Sequence, residues 1–141
     1  MTQDLRAELR SALLAHTEAL RVALQDELAR FVQLEPGRRL QFEIDPFFFG
    51  ISSCVTEEVI LPGNWLDRAL PADWFERADA AKGGWNAMIS AELCPWFAEC
   101  WKAVDGPAKF SPAFLFFHGY HGEQFDLESA RWLSSSEAFG E

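Results

Sequence analysis

The chain has 141 residues, 49% hydrophobic and 14% aromatic, and its 12 basic and 22 acidic residues give a formal net charge of −10. This is the size of one globular domain, residues 1–141, with more aromatic side chains than such a core requires. The negative charge repels phosphate backbones, which argues against a nucleic acid partner, and it favours encounter with a basic protein.

The sequence also predicts a cytoplasmic protein with no membrane partner. No apolar run approaches the ~20 residues needed to span a bilayer, and polar residues rather than an apolar signal core follow Met1. Cys54, Cys94 and Cys100 are odd in number and contain no CxxC pair, so we expect reduced thiols, mostly buried, instead of disulfides or a thiolate zinc site.

Residues 1–34 predict one long amphipathic helix. Its stripe repeats at spacings of three and four and consists of Leu5, Leu9, Leu13, His16, Leu20, Leu24, Leu28 and Phe31. At roughly 1.5 Å per residue the helix exceeds the diameter of a small domain, which leaves one end free to pair with a second chain as a homodimer. His16 is either a pH-sensitive or ligand-binding residue or, as we favour, an ordinary residue at the edge of the core.

Short strands are expected next. Residues 38–45 alternate between apolar and polar, which predicts a half-buried, antiparallel strand. After Pro46, residues 47–55 predict a second strand joined by a tight turn or bulge, and Val59–Leu61 predicts a third. We interpret the three consecutive phenylalanines, residues 47–49, as a core strand in preference to a ligand-facing aromatic wall.

Helical patterns occupy the middle of the chain. Asn64 resembles an N-cap for a brief helix through Leu70, and residues 72–82 predict another. Residues 85–104 keep helical spacing across Pro95, which predicts a continuous but kinked, tryptophan-rich helix, with a break into two helices at Leu93-Cys94 as the alternative. Its aromatic residues span a wider arc than one sheet covers, so it is an interface candidate as well as a core element.

Residues 110–133 predict a buried β-hairpin followed by a short helical tail. Ala113–Phe117 is an apolar, aromatic run typical of a central strand. Gly119 and Gly122 allow the chain to reverse before residues 124–127 return. The fold class is therefore α+β, an antiparallel sheet of four or five strands covered by the two long helices, with a frayed tail at 134–141.

The hairpin also gathers possible metal ligands. His118, His121 and Asp126 are residue types that bind zinc or iron, and Glu123 lies between them. The two histidines are three residues apart, which places them on opposite faces of an ideal strand, and no second ligand cluster accompanies them. We therefore predict no metal and no cofactor, and keep a small metal-dependent enzyme or ligand-binding protein as an alternative. The simpler interpretation is a turn stiffened by hydrogen bonds.

A nucleophilic site is also disfavoured. Cys54 with a turn histidine and Asp126 would supply the residue types, but the nearby Glu57 and Glu58 would raise the pKa of the thiol. The sequence has neither a GxSxG motif nor a glycine-rich phosphate loop. No catalytic residue is predicted.

What remains is a protein that binds another protein. The residues predicted to contact it are aromatic or polar: Trp74, Trp96, Trp101, Tyr120, His121, Glu123 and Asp126. In overall type the chain resembles the small, acidic, α+β immunity proteins of bacterial polymorphic toxin systems, and LPADWFERA and FFHGYHGEQFDLESARWL are the segments nearest to that resemblance. The resemblance implies binding and neutralisation of a cognate toxin domain, which the charge predicts to be basic. The alternatives are the metal-dependent protein and an oligomeric scaffold built on the N-terminal helix.

Overall fold

The computed structural model describes residues 2–31, 40–45, 48–80, 84–110, 113–117 and 124–134. The helices are α1 (Thr2–Ala15), α2 (Thr17–Phe31), α3 (Trp65–Ala69), α4 (Trp74–Asp79), α5 (Gly84–Ala103) and α6 (Gly106–Lys109). The strands are β1 (Leu40–Ile44), β2 (Ile51–Ser53), β3 (Val59–Leu61), β4 (Ala113–Phe117), β5 (Gln124–Asp126) and β6 (Arg131–Leu133). None of the helices in these ranges is long and apolar enough to cross a lipid bilayer.

The strands form one sheet in the order β3-β2-β1-β4-β5-β6. Its neighbours are antiparallel except for the central pair, β1 and β4, which run parallel. The predicted α+β class and predominantly antiparallel sheet are confirmed, with six strands in place of four or five. The hairpin of β4 and β5 is also confirmed, whereas residues 118–123, where its turn was predicted, lie outside the described residues, as does most of the predicted tail.

The extra strand is β6, where the prediction of a helical tail is wrong. The Asp126 carboxylate accepts hydrogen bonds from the Glu128 backbone N–H (3.1 Å) and the Ser129 hydroxyl (2.6 Å). Ala130 then takes a positive φ of 57°. These local bonds favour a turn over a helix, and β6 returns along β5.

The predicted N-terminal helix is divided at His16. The His16 Nδ1–H donates to the Ala12 carbonyl (3.0 Å), and the Thr17 hydroxyl donates to the Leu13 carbonyl (3.3 Å). Side-chain bonds to helical carbonyls compete with the backbone ladder, which gives this break a cause without proline or glycine. The leucines and Phe31 of the stripe are at most 3% exposed within the chain, so they present no free face to a second copy.

The core lies between the helices and one face of the sheet. Burial alternates along β1, and Phe42 packs against Phe31 of α2 and against Phe97 and Trp101 of α5. Alternate residues of a strand point to opposite faces, so Glu43 lies on the other face, which we call the outer face. In register with Glu43, Ser52 of β2 and Val59 of β3 share that outer face.

The three helices between β3 and α6 occupy the predicted regions. The tryptophan-rich helix is confirmed as the continuous helix α5, with Pro95 inside it. Helices α3 and α4 correspond to the two predicted short helices. Asn64 occupies the predicted N-cap position of α3 with a left-handed φ of 68°, and its carbonyl accepts from the Arg68 N–H, but its side chain makes no capping hydrogen bond.

Candidate functional site

Two of the tryptophans predicted to bind a partner belong to the core. Trp74 is 0% exposed and donates its indole N–H to the Leu5 carbonyl (3.0 Å), and Trp101 is 1% exposed against Phe42. Both rings are packed inside the chain and have almost no accessible surface. They therefore belong to the hydrophobic core and not to a surface that a partner could contact.

The other predicted contacts are divided between two places. Trp96 is half-buried, stacks on Trp65 at 5.6 Å and donates its indole N–H to the Thr17 hydroxyl (3.0 Å). Asp126 is half-buried in the β5–β6 turn described above. The remaining candidates, Tyr120, His121 and Glu123, lie outside the described residues, as does His118. The predicted contact residues that the structure describes therefore do not form one continuous surface.

The chemistry of Cys54 is unsuited to a nucleophile. Cys54 is exposed as a residue, yet its thiol is partly desolvated, and this desolvation raises its pKa to about 12, assisted by a hydrogen bond with Glu43 and by the charge of that carboxylate. The thiolate is the reactive form, so little of it is present near neutral pH. Cys94 and Cys100 are buried free thiols whose pKa values are also raised by burial.

The described part of the chain contains no set of side chains that could bind a metal ion. No group of three or more histidine, cysteine, aspartate or glutamate side chains there is placed to hold an ion. Asp126 uses both carboxylate oxygens in its own turn. The predicted ligands His118 and His121 are not among the described residues.

A different surface combines exposed apolar and acidic residues at the β3 edge of the sheet. Phe48 and Val59 are 54% and 63% exposed and line the same cleft, and neighbouring exposed apolar side chains can mark a binding site. The cleft has a volume of about 370 Å³. We call it the β-edge surface, and it is lined by Asp45, Phe48, Gly50, Ser52, Val59, Leu61, Gly63 and Asn64.

Backbone hydrogen bonds fix the position of Phe48. The Asp45 carboxylate accepts from the Phe48 N–H (3.0 Å), and the Phe48 carbonyl accepts from the Asn64 N–H (2.7 Å). The Asp45 N–H donates to the Gly50 carbonyl, and the Asp45 carbonyl accepts from the Phe49 N–H, both at 2.9 Å. Both peptide groups of Phe48 are thus bonded, and its ring is displayed from a defined backbone.

The next residue anchors this loop in the core. Phe49 is 2% exposed, stacks on Phe75 at 5.7 Å and meets Trp85 edge-on at 5.6 Å. It has a positive φ of 59°, which disfavours most side chains and is tolerated here because the ring is so well packed. A Cβ on Gly50 would lie 3.1 Å from the Gly63 nitrogen, so glycine permits the loop to approach the β3–α3 connection.

The charged residues that the described structure places at the β-edge surface are acidic. Asp45 lines the cleft, Glu43 faces Ser52 across the β1–β2 pair, and Glu58 directly precedes Val59. No lysine, arginine or histidine is among the described residues that line it. An apolar centre with an acidic rim is complementary to an apolar, basic protein surface.

The sequence contained a partial signal for this surface. The three phenylalanines were interpreted as core, and the structure confirms this for Phe49, whereas Phe48 faces solvent and Phe47 is not among the described residues. The predicted strand 47–55 shortens to β2 because Asp45 and Gly50, two turn-forming residues, enclose the run. These flanking residues could have indicated a turn that displays one ring.

Known proteins add no further constraint on this site. No protein-family model, no curated protein and no solved structure matches the chain.

Proposed function

We propose that this protein is a non-enzymatic binding protein, and more specifically an immunity protein that binds and neutralises a basic bacterial toxin domain through the β-edge surface. The observation that carries the proposal is the exposure of Phe48, held by hydrogen bonds on both of its peptide groups, next to the exposed Val59. Because the backbone that carries this ring is already ordered, little backbone freedom is lost when a partner covers it.

Burial of the two side chains supplies a plausible binding energy. Covering the exposed parts of Phe48 and Val59 contributes about 2–3 kcal/mol from the hydrophobic effect. Aromatic residues at the centre of an interface commonly carry a large share of its affinity, while the surrounding contacts exclude water. Phe48 is the residue of the β-edge surface suited to that central position.

The charge supports a basic partner. The chain has a formal net charge of −10, and the ionisable residue among the described residues that line the cleft is the carboxylate Asp45. Opposite charge accelerates diffusional encounter and orients the partner before apolar contact forms. Covering a cationic surface on a toxin domain would block that domain without any catalytic step.

The other hypotheses have less support. A scaffold that pairs through the N-terminal apolar stripe would need residues that are buried within the chain. A metal-dependent activity would depend on His118 and His121, for which the described residues provide no accompanying ligand cluster. The toxin-binding proposal also agrees with the resemblance in size, charge and fold class.

Growth rescue tests the proposal. A toxin domain encoded beside this protein is expressed in a susceptible host, alone and with this protein. Wild type is expected to restore growth, and Phe48→Ser is expected to lose most of that protection. Val22→Ser is the matched control, because Val22 is 46% exposed on α2 and lies outside the β-edge surface. Equal protection by wild type and Phe48→Ser would contradict the assigned surface, and no protection by wild type would contradict the function.

Charge reversal tests the electrostatic part. Glu58→Lys should lower the association rate with the toxin domain, and the difference from wild type should shrink as salt is added, because surface charges are screened. Asp26→Lys, an exposed reversal on α2, is the control for net charge alone. Identical association rates for the two variants at low salt would contradict a role for the acidic rim.

A further inference from the structure

A second cleft lies at the break between α1 and α2, on the side of α3. Its volume is about 350 Å³, within the range of small-molecule sites. We call it the His16 cleft, and it is lined by His16, Ala19, Leu61, Pro62, Trp65, Arg68 and Ala69. It shares only Leu61 with the described lining of the β-edge surface.

The helix break fixes the histidine in this cleft. A carbonyl oxygen only accepts hydrogen bonds, so Nδ1 of His16 donates to Ala12 and carries a proton. The edge-on contact with Trp65, with ring centroids 5.0 Å apart, fixes the plane of the imidazole. Within the described structure Nε2 makes no hydrogen bond, and in the neutral ring with Nδ1–H it is an acceptor.

Arg68 adds a positive charge. Arg6, Arg10, Arg30 and Arg77 each make a close ion pair with a carboxylate. Arg68 is exposed on α3 and has no ion pair with any described residue, and none of the described residues that line the His16 cleft is acidic. In a chain with a net charge of −10, this cleft offers a guanidinium and an imidazole without a competing carboxylate.

The remaining walls are apolar. Leu61, Pro62 and Ala69 line the cleft beside Trp65, whose ring in turn stacks on Trp96. The Trp65 indole N–H is already bonded to the Phe49 carbonyl, so the ring serves as a fixed wall and not as a further donor. Such a cleft matches a ligand that has an anionic end and an apolar body.

We propose that the His16 cleft binds a small organic carboxylate with an aromatic or branched apolar body. The carboxylate pairs with Arg68, whose planar fork suits two oxygens. His16 forms part of the cleft wall, and the apolar body packs against Leu61, Pro62 and Trp65. This site is separate from toxin binding, so the two proposals stand or fall independently.

An NMR titration with three probes tests the ligand chemistry. The full-length protein is titrated with 4-phenylbutyrate, with the uncharged analogue 4-phenylbutanol and with acetate, while the His16 ring and Trp65 indole signals are followed. Saturable shifts are expected at millimolar 4-phenylbutyrate, with at least about tenfold weaker binding of the alcohol and of acetate. No saturable shift with 4-phenylbutyrate, or equal binding of the acid and the alcohol, would overturn the proposal.

Three variants then locate the site. Arg68→Gln should weaken 4-phenylbutyrate binding by about tenfold and leave 4-phenylbutanol unchanged, since it removes only the charge contact. Ala19→Phe places a ring in the cleft from an exposed helix position and should abolish binding of both probes. Lys102→Gln, which removes an exposed positive charge outside the cleft, should bind like wild type. Equal weakening by Arg68→Gln and Lys102→Gln would show that net charge, and not the cleft, attracts the probe.

Discussion

Phe48 and Phe49 are adjacent in the chain, and they divide the molecule into two regions with different properties. Phe49 joins the aromatic core between the sheet and the helices, whereas Phe48 is displayed at the β-edge surface. The same residue type therefore serves stability at one position and remains available to a partner at the next. The difference comes from the Asp45 hydrogen bonds and the left-handed backbone of Phe49, not from hydrophobicity.

The comparison shows how a ring can be exposed at the surface with little effect on the stability of the fold. The core already encloses Phe42, Phe97 and Trp101, so the loss of Phe48 would leave no cavity there. Substitutions in the core should therefore reduce the free energy of unfolding, while substitution of the exposed Phe48 should affect binding alone.

The largest effect is expected for Phe49→Ala. Removing this buried ring should lower the free energy of unfolding by about 3–5 kcal/mol, because a cavity forms against Phe75 and Trp85. Phe48→Ala should change it by less than about 0.5 kcal/mol. Urea denaturation of both variants measures the difference, and equal destabilisation would remove the distinction between the two regions.

Gly106→Ala should cause the next largest loss. A Cβ at Gly106 would clash with the buried Trp101 ring, so the ring or the start of α6 must shift. Overpacking of this kind costs about 1–3 kcal/mol. Gly63→Ala is the matched control at the β-edge surface, where the added methyl would meet the Phe48 Cβ at an ordinary 3.5 Å. Thermal unfolding should show a clearly lower midpoint for Gly106→Ala, and equal midpoints would argue against the α5–α6 packing.

A buried carboxylate links α2 to the β2–β3 turn and should contribute a comparable or smaller amount. Glu27 is 0% exposed, accepts the Thr56 hydroxyl at 2.7 Å and pairs with Arg30 at 3.1 Å. Thr56→Val removes the hydroxyl donor and should cost about 1–3 kcal/mol, since the buried oxygen loses a partner. Thr56→Ser keeps the hydroxyl and should retain most of the stability in urea denaturation. Wild-type stability in Thr56→Val, with the loss confined to Thr56→Ser, would show that the methyl group, and not the hydrogen bond, is responsible.

The smallest stability effect concerns Glu92 and depends on pH. Hydrogen bonds from Arg10 and then Arg6 hold the pKa of the Glu92 carboxyl below its usual value. A lowered folded-state pKa stabilises the fold above the unfolded-state pKa, and this stabilisation is lost as the pH falls through the folded-state value. Glu92→Gln should cost no more than about 1 kcal/mol at neutral pH, because the arginines are solvent-exposed and the interaction is screened.

The pH series supplies the check on that prediction. The difference in unfolding free energy between wild type and Glu92→Gln should be largest at neutral pH and should disappear in acid. A difference that stays constant from neutral to acidic pH would mean that the carboxylate charge contributes nothing.

Local patterns were sufficient to predict much of the fold. The alternation of residues 40–44 predicted β1, and the continuous helical spacing across Pro95 predicted α5, because one face of each element is buried. The order of strands is set by long-range packing, so the parallel β1–β4 pair was not evident from either strand alone. Side-chain hydrogen bonds to two backbone carbonyls cause the break at His16. Such bonds produce no periodic pattern in the sequence from which the break could be predicted.

The candidate site was less predictable than the fold. Aromatic residues on α4 and α5 suggested a partner surface, but Trp74 and Trp101 are enclosed by helices whose packing the sequence does not specify. The orientation of Phe48 depends on the Asp45 turn and on the close approach of Gly50 to Gly63. Composition indicated the acidic character correctly, whereas its position beside an exposed ring required the structure.

The central claim is that the exposed Phe48 ring of the β-edge surface binds a partner without being needed for folding. The most direct test is calorimetric titration of the cognate toxin domain into wild type, Phe48→Ala and Val22→Ala, with unfolding midpoints recorded for the same samples. We predict equal midpoints, at least about tenfold weaker binding for Phe48→Ala, and wild-type affinity for Val22→Ala. Wild-type affinity in Phe48→Ala, at an unchanged midpoint, would contradict the claim.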